Sequence, residues 1–441
     1  MITSRRTLLK LAGAFGAGSL LAPRSALGQA TPAPQPPAPL PILPATPTGD
    51  AQSMARNSAY WNAVAAQYQV TPEVTNFENG YWGLMARPVL EKHKAYLDQV
   101  NQRNSYYARR EFGKDMAQVS GAVSRHLNVL PEELLFTRNA TEALQTLIGG
   151  FNLLKPGDTV LYADVDYDAM QAAMDSLAVR RGVKVVKIAV PQPATYDAAL
   201  STYQKALKDN PGTKLLLLTQ ISHRSGLLLP VKEIAAMARA TGAEVILDAA
   251  HSWGQIEVDV QQLGVDFIGF NVHKWIGAPI GVGLMYVKKG RESAIDPDMS
   301  EAPTATSLQS RLHTGTTNFA AYLAVPDALA FHQQVGPAAK EARIRYLRDL
   351  WVSQVRDLKN LEILTDDDPR MHAGITSIRV KGRTDAAENA KVAADLLEKY
   401  KVFTVTRGGL ASGPCIRITP ALYTTEADVA QLVKALRGVA G

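Results

Sequence analysis

Two short segments decide the reading: Glu244-Val245-Ile246-Leu247-Asp248-Ala249-Ala250-His251 and, past an apolar run at 267–270, Asn271-Val272-His273-Lys274-Trp275. In each, an apolar run too short for a helix ends on polar side chains, as a buried strand does where its carboxyl end meets a site. The texture recurs outward from there. Residues 134–136, 159–162, 183–190, 214–221 and 283–287 are further candidate strands, with helical patterns such as 169–181 and 231–241 between them. Gly182 and Gly242 stand where those helices should close. Apolar strands alternating with helices predict an α/β domain built on a mostly parallel sheet. Such open sheets bind ligands at strand carboxyl ends.

After Thr317 the pattern changes to a long helical segment over 320–358, then shorter strand–helix units. This predicts a smaller C-terminal α+β domain over 320–441. The large domain is expected over 111–319, and 51–110 as an N-terminal segment serving both the site and the small domain. No internal repeat is visible.

Lys and Arg total 47 against 41 Asp and Glu, a net charge of +6 spread along the 441 residues without a long basic run. No nucleic-acid partner is expected. One cysteine, Cys415, excludes an internal disulfide framework and a Cys-based zinc cluster, and no metal site is expected.

The first thirty residues differ from the rest. Ser4-Arg5-Arg6-Thr7-Leu8-Leu9-Lys10 precedes a mild apolar run at 11–22 and small residues near Gly28 to Ala30. This resembles a twin-arginine export signal over 1–30, which implies the twin-arginine translocon as a partner and a periplasmic location. The alternative is a membrane anchor, but the run falls short of the roughly 20 residues that span a bilayer. Eight prolines between Thr31 and Gly49 predict an extended linker over 31–50.

Asp248 and Lys274, at the ends of successive strands, match a short list of chemical parts. Pyridoxal 5'-phosphate (PLP) chemistry needs a lysine amine to hold the cofactor as a Schiff base. It also needs a carboxylate to keep the pyridine nitrogen protonated, a flat partner on the ring and donors around the phosphate. A strand-end Asp or a His-Lys pair alone is commonplace. Together, and followed by the glycines 277, 281 and 283, they resemble class V aminotransferases of the fold-type I PLP superfamily. Asn271-x-His273-Lys274-Trp275 is most similar to the isopenicillin N epimerase-like branch, whereas cysteine desulfurases usually carry a small residue in place of Asn271. The resemblance runs from about Thr75 to the C-terminus and implies a fold-type I large domain and a homodimer.

The same resemblance implies the remaining roles. Ala140, Thr141 and Glu142, opening a helix after a strand, would cup the phosphate, although Thr141 also reads as a plain N-cap. Tyr167 would stack on the ring; its alternative is a surface tyrosine at a helix start. Ser222, His223 and His251 would approach the phenolic oxygen or the phosphate, and His273 the phosphate. Thr316 and Thr317, in Gly315-Thr316-Thr317-Asn318, would reach the partner subunit's phosphate. Arg417 matches the arginine that forks onto a substrate carboxylate. Asn79, Tyr81, Tyr107 and Arg109 match substrate-pocket regions, and Arg224 is an unassigned candidate.

The expected activity is on the amino group or α-carbon of an amino-acid or peptide-like substrate, with Lys274 as acid and base. Periplasmic PLP enzymes that tailor pyoverdine-type siderophore precursors are similar in combining export with this chemistry. Two alternatives stand beside it: a cysteine desulfurase or selenocysteine lyase, and a non-catalytic ligand-binding protein. The first needs a mobile thiolate, and Cys415 lies in a strand-like run.

Overall fold

The computed structural model describes residues 42–441. The expected export signal and residues 31–41 of the proline-rich stretch lie outside the described residues. Among the described residues no helix is long and apolar enough to cross a membrane.

Seven strands form the central sheet: β1 Leu134–Thr137, β2 Thr159–Ala163, β3 Lys184–Ile188, β4 Thr213–Thr219, β5 Glu244–Asp248, β6 Phe267–Asn271 and β7 Gly283–Val287. Their spatial order is β1-β7-β6-β5-β4-β2-β3. Only β7 runs against the others, antiparallel to both β6 and β1. The fold is therefore α/β with a mostly parallel sheet, as the apolar runs implied. Alternate side chains of β4 explain why those runs are continuous. Leu216 and Leu218 enter the core on one face of the sheet, and Leu215 and Leu217 the core on the other. Helices cover both faces, so neither set can be polar.

Gly182 closes the helix Asp168–Arg181 with φ 68°, a left-handed conformation that glycine adopts without steric cost. The segment expected as one long helix over 320–358 is instead three: Phe319–Leu323, Val325–Val335 and Pro337–Val355. Pro326 and Pro337 each sit in the first turn of the next helix, where a missing N–H costs nothing, and Gly336 makes the second break with φ 87°.

The C-terminal part carries a four-stranded antiparallel sheet: β8 Leu361–Ile363, β9 Thr376–Val380, β10 Val405–Arg407 and β11 Cys415–Ile418, in the order β10-β11-β9-β8. Trp351, Ile378, Leu396, Ile416 and Leu432 share its core. The short strand Thr75–Asn76 pairs in parallel with Val402–Phe403, and Phe77 joins the same core. That pairing delivers residues 78–83 to the strand ends of the large sheet, where His273 accepts a hydrogen bond from the Gly83 N–H at 2.8 Å.

Candidate active site

The carboxyl ends of β4, β5 and β6 open onto a cavity of about 780 Å3 whose wall includes Thr219, Asp248, His251, Asn271 and Lys274. That is the size range of small-molecule sites. Asp248 ends β5 almost fully buried, and its Oδ1 accepts from the Ala250 N–H at 2.9 Å. The turn this makes brings His251 back over the strand ends, where its Nε2 lies 3.0 Å from Lys274 Nζ. His273 donates from Nδ1 to the Val282 carbonyl at 2.8 Å, which pins the loop beside β7. The chain also approaches Gly83 closely: a Cβ there would lie 1.8 Å from the Lys274 carbonyl oxygen, so no larger residue fits.

Burial dominates the electrostatics. It lowers the Lys274 amine to about 7; Asp248 and Glu78 oppose that fall, and Arg417 and Arg407 add to it. Asp248 is raised by burial, against the Ala250 N–H and the Lys274 charge. His251 is held well below its ordinary value by burial and then by Lys274, and His223 falls to about 3 chiefly through burial. Asp166, fully buried just past β2, rises to about 7 through burial, with the Asp248 charge contributing. The site thus holds its histidines neutral and leaves its lysine amine unprotonated above about pH 7. Perturbed groups gathered in one cleft are what acid–base chemistry requires.

The helix Ala140–Gly150 points its N-terminus at the cavity. Asn139 caps it by accepting from the Glu142 N–H at 2.9 Å, and the Ala140 N–H donates to Asn271 Oδ1 at 2.8 Å. Asn271 therefore ties β6 to this helix. Ala140, Thr141 and Arg138 line the wall, an arrangement suited to an anion. Tyr167 stands on the wall with its ring edge-to-face with His223, centroids 5.0 Å apart. Tyr81, His273, Thr316 and Thr317 also face the cavity, the two threonines doing so within their own chain.

Five candidates lie off this wall. Ser222 Oγ donates to the Val165 carbonyl at 2.9 Å, and Glu142 pairs with Arg138. Asn79 donates to the Thr419 carbonyl at 2.8 Å and accepts from the Tyr423 hydroxyl at 2.5 Å. Tyr107 is buried with its hydroxyl donating to Asp115 at 2.6 Å, while Arg109 is exposed on the same helix. All but Arg109 are tied to protein partners, because their own neighbourhoods supply one.

Arg417 reaches the cavity, but its guanidinium is engaged. Nη2 donates to both Glu78 oxygens at 2.6 and 2.8 Å, and Nη1 to the His223 carbonyl at 2.9 Å. Sequence reading passed over Glu78, although it adjoins Asn79 and is a lone acid after the apolar Phe77. It also passed over Arg407, which lines the cavity with its side chain 26% exposed and only a 3.7 Å approach to Glu78. Arg224, unassigned before, is buried and paired with Asp168.

The profile of the family "Aminotransferase class-V" matches residues 84–432. Isopenicillin N epimerase of Streptomyces clavuligerus is 27% identical over 400 residues, 87% of this chain and 99% of that protein. A probable cysteine desulfurase of Pyrococcus abyssi is 25% identical over 331 residues, covering 70% and 80%. The fold is similar to the cystine C-S lyase C-DES bound to cysteine persulfide, at TM-score 0.72 and 24% identity over 83% of this chain and 97% of that one. It is also similar to a cysteine desulfurase of Thermococcus onnurineus, at TM-score 0.72 and 20% identity over 86% and 97%.

Proposed function

We propose, for a chain that belongs to the class-V aminotransferase family, that Lys274 holds pyridoxal 5'-phosphate and that the enzyme acts on the amino group or α-carbon of an amino-acid or peptide-like substrate. The observation that carries this is the half-buried Lys274, whose amine lies 3.0 Å from His251 Nε2 and shares its cavity with the strand-end carboxylate Asp248. The wall fits the cofactor: Lys274 for the aldehyde, Asp248 for the ring nitrogen, Tyr167 for the ring face, and Thr141 with the helix N-terminus for the phosphate. When bound, PLP supplies an electron sink for a carbanion at the substrate α-carbon.

The chain's own residues do the rest. Unprotonated Lys274 Nζ takes the α-proton and returns it, and Asp248 offers a buried negative charge to a protonated ring nitrogen. Arg407 is the guanidinium left to meet a substrate carboxylate, since Glu78 fills the Arg417 fork. Delivery of a proton by a second acid on the face opposite Lys274 would give epimerisation, which the epimerase relatives favour.

The desulfurase reading has less support. Cys415 is buried in β11, paired on both sides by β9 and β10, and burial raises its thiol. A persulfide-forming sulfur must move and ionise; this one is held.

The test is isotope exchange. The PLP-loaded enzyme in deuterated water, given an extract of periplasmic metabolites, is expected to place deuterium at the α-carbon of an amino-acid or peptide-like compound. No exchange into any compound, with transfer of sulfur from cysteine instead, would overturn the reading.

A homodimer accords with Tyr81, Trp82 and Ile280, three exposed apolar side chains at the mouth of the cavity that a second copy would cover. Export by the twin-arginine route rests on Arg5 and Arg6. Replacing both by lysine is expected to leave the precursor in the cytoplasm with its PLP-binding activity intact; unchanged delivery to the periplasm would refute the signal.

A further inference from the structure

We infer that Trp275 is a positioning residue that locks His251 in its Nε2–H tautomer and, through it, holds the Lys274 amine as a hydrogen-bond acceptor. The inference rests on the reading of Lys274 as the cofactor lysine. It follows from the order of three groups. Trp275 Nε1 lies 3.3 Å from His251 Nδ1, and His251 Nε2 lies 3.0 Å from Lys274 Nζ. An indole N–H only donates, so His251 Nδ1 must present its lone pair. A neutral imidazole carries one proton, and here it falls to Nε2. That N–H faces Lys274, whose amine accepts it when unprotonated.

The reverse direction is blocked. A Lys274 ammonium donating to Nε2 needs the proton on Nδ1, which would set two N–H donors against each other between His251 and Trp275. The indole therefore disfavours the protonated lysine from one residue along the chain, acting through the histidine. An unprotonated amine is the form that serves as nucleophile or base.

Both ends of this relay are anchored. The Trp275 carbonyl accepts from the buried Lys340 Nζ. Gly254, at φ +87°, brings its Cα so close that a Cβ would lie 2.8 Å from the Trp275 carbonyl carbon. The His251 carbonyl accepts from Gln255 Nε2 at 2.7 Å, and Gln255 Oε1 in turn accepts from the Gly374 N–H at 2.8 Å.

Other charges also face Lys274. Asp248 and Glu78 favour its protonation, Arg407 and Arg417 oppose it, and His223 and His273 stand nearby. Trp275→Phe leaves all six in place and removes one donor while keeping an aromatic ring. It isolates the indole N–H.

The test uses the full chain with 15N-labelled histidine, with and without PLP, His251 being assigned by its loss in His251→Gln. The wild type is expected to show the Nε2–H tautomer in both states, and Trp275→Phe to admit the Nδ1–H form. In parallel, reductive methylation of Lys274 by formaldehyde in the cofactor-free chain is followed against pH by peptide mass spectrometry. Its midpoint, near the value of about 7 that burial sets, is expected to rise by about one pH unit in Trp275→Phe, the scale of one net hydrogen bond. A wild-type Nδ1–H tautomer overturns the inference, and decides it alone should the variant not fold. A tautomer that changes while the midpoint stays put overturns the link to Lys274. The parent reading fails separately, if borohydride fixes PLP to a different lysine.

Discussion

Lys274→Ala is expected to abolish covalent attachment of PLP completely. After borohydride reduction the wild-type chain should carry the cofactor on the peptide containing Lys274, and the variant on none. The physical basis is that a free amine, not an ammonium, attacks an aldehyde. Burial lowers the Lys274 amine to about 7, so it is unprotonated where an exposed lysine, near 10.4, is charged. The sign for pH follows: attachment should accelerate as pH rises through about 7 and level off above it. A rate still climbing at pH 10 would refute the lowered amine. Lys340 is the sternest control. Burial lowers it to about 7 as well, yet it donates to the Trp275 carbonyl and lies off the cavity wall. Attachment surviving on Lys340 would sink the assignment.

Arg417→Ala should unfold the protein more easily by about 3–5 kcal/mol, the cost of leaving one partner of a buried ion pair alone. The Arg417 side chain is 1% exposed and that of Glu78 9%, so water cannot replace the lost partner. Glu78→Ala should cost a similar amount, whereas Glu78→Gln combined with Arg417→Met should recover most of it, since no charge is then stranded. Urea denaturation of the four proteins measures this. A loss below about 1 kcal/mol for Arg417→Ala, the scale of an exposed pair, would mean that the fork opens readily and is free for a substrate carboxylate. Arg407→Ala, removing a partly exposed side chain, should leave stability nearly unchanged and weaken carboxylate binding instead.

The two variants divide the site along the line between local and long-range information. Asp248 and Lys274 were legible together: each stands past a short apolar run that reads as a strand, and in that order they resemble a known motif. The helix opening at Ala140 was legible as well, but its N-cap is Asn139 and not Thr141, which lies inside the first turn. Arg417 was legible as an arginine in a strand, but its partner was not: Glu78 lies 339 residues away in sequence. Tyr107 and Asn79 were placed at the pocket because they match pocket regions of the family they resemble, yet Asp115, Thr419 and Tyr423 satisfy them first. The long helix expected over 320–358 failed at its prolines. Pattern reads Pro as a weak stop, whereas the fold uses Pro326 and Pro337 as starts.

By itself, the sequence determined the order of the central strands and helices and the parallel α/β character. All of these rest on the periodicity of side chains over a few residues, which burial imposes locally. Only the tertiary structure decided which charges meet. It filled the Arg417 fork with Glu78, left Arg407 at the cavity, and set Trp275, His251 and Lys274 in one line of hydrogen bonds. Those outcomes depend on which donors and acceptors face each other once water is excluded, and no local pattern records that.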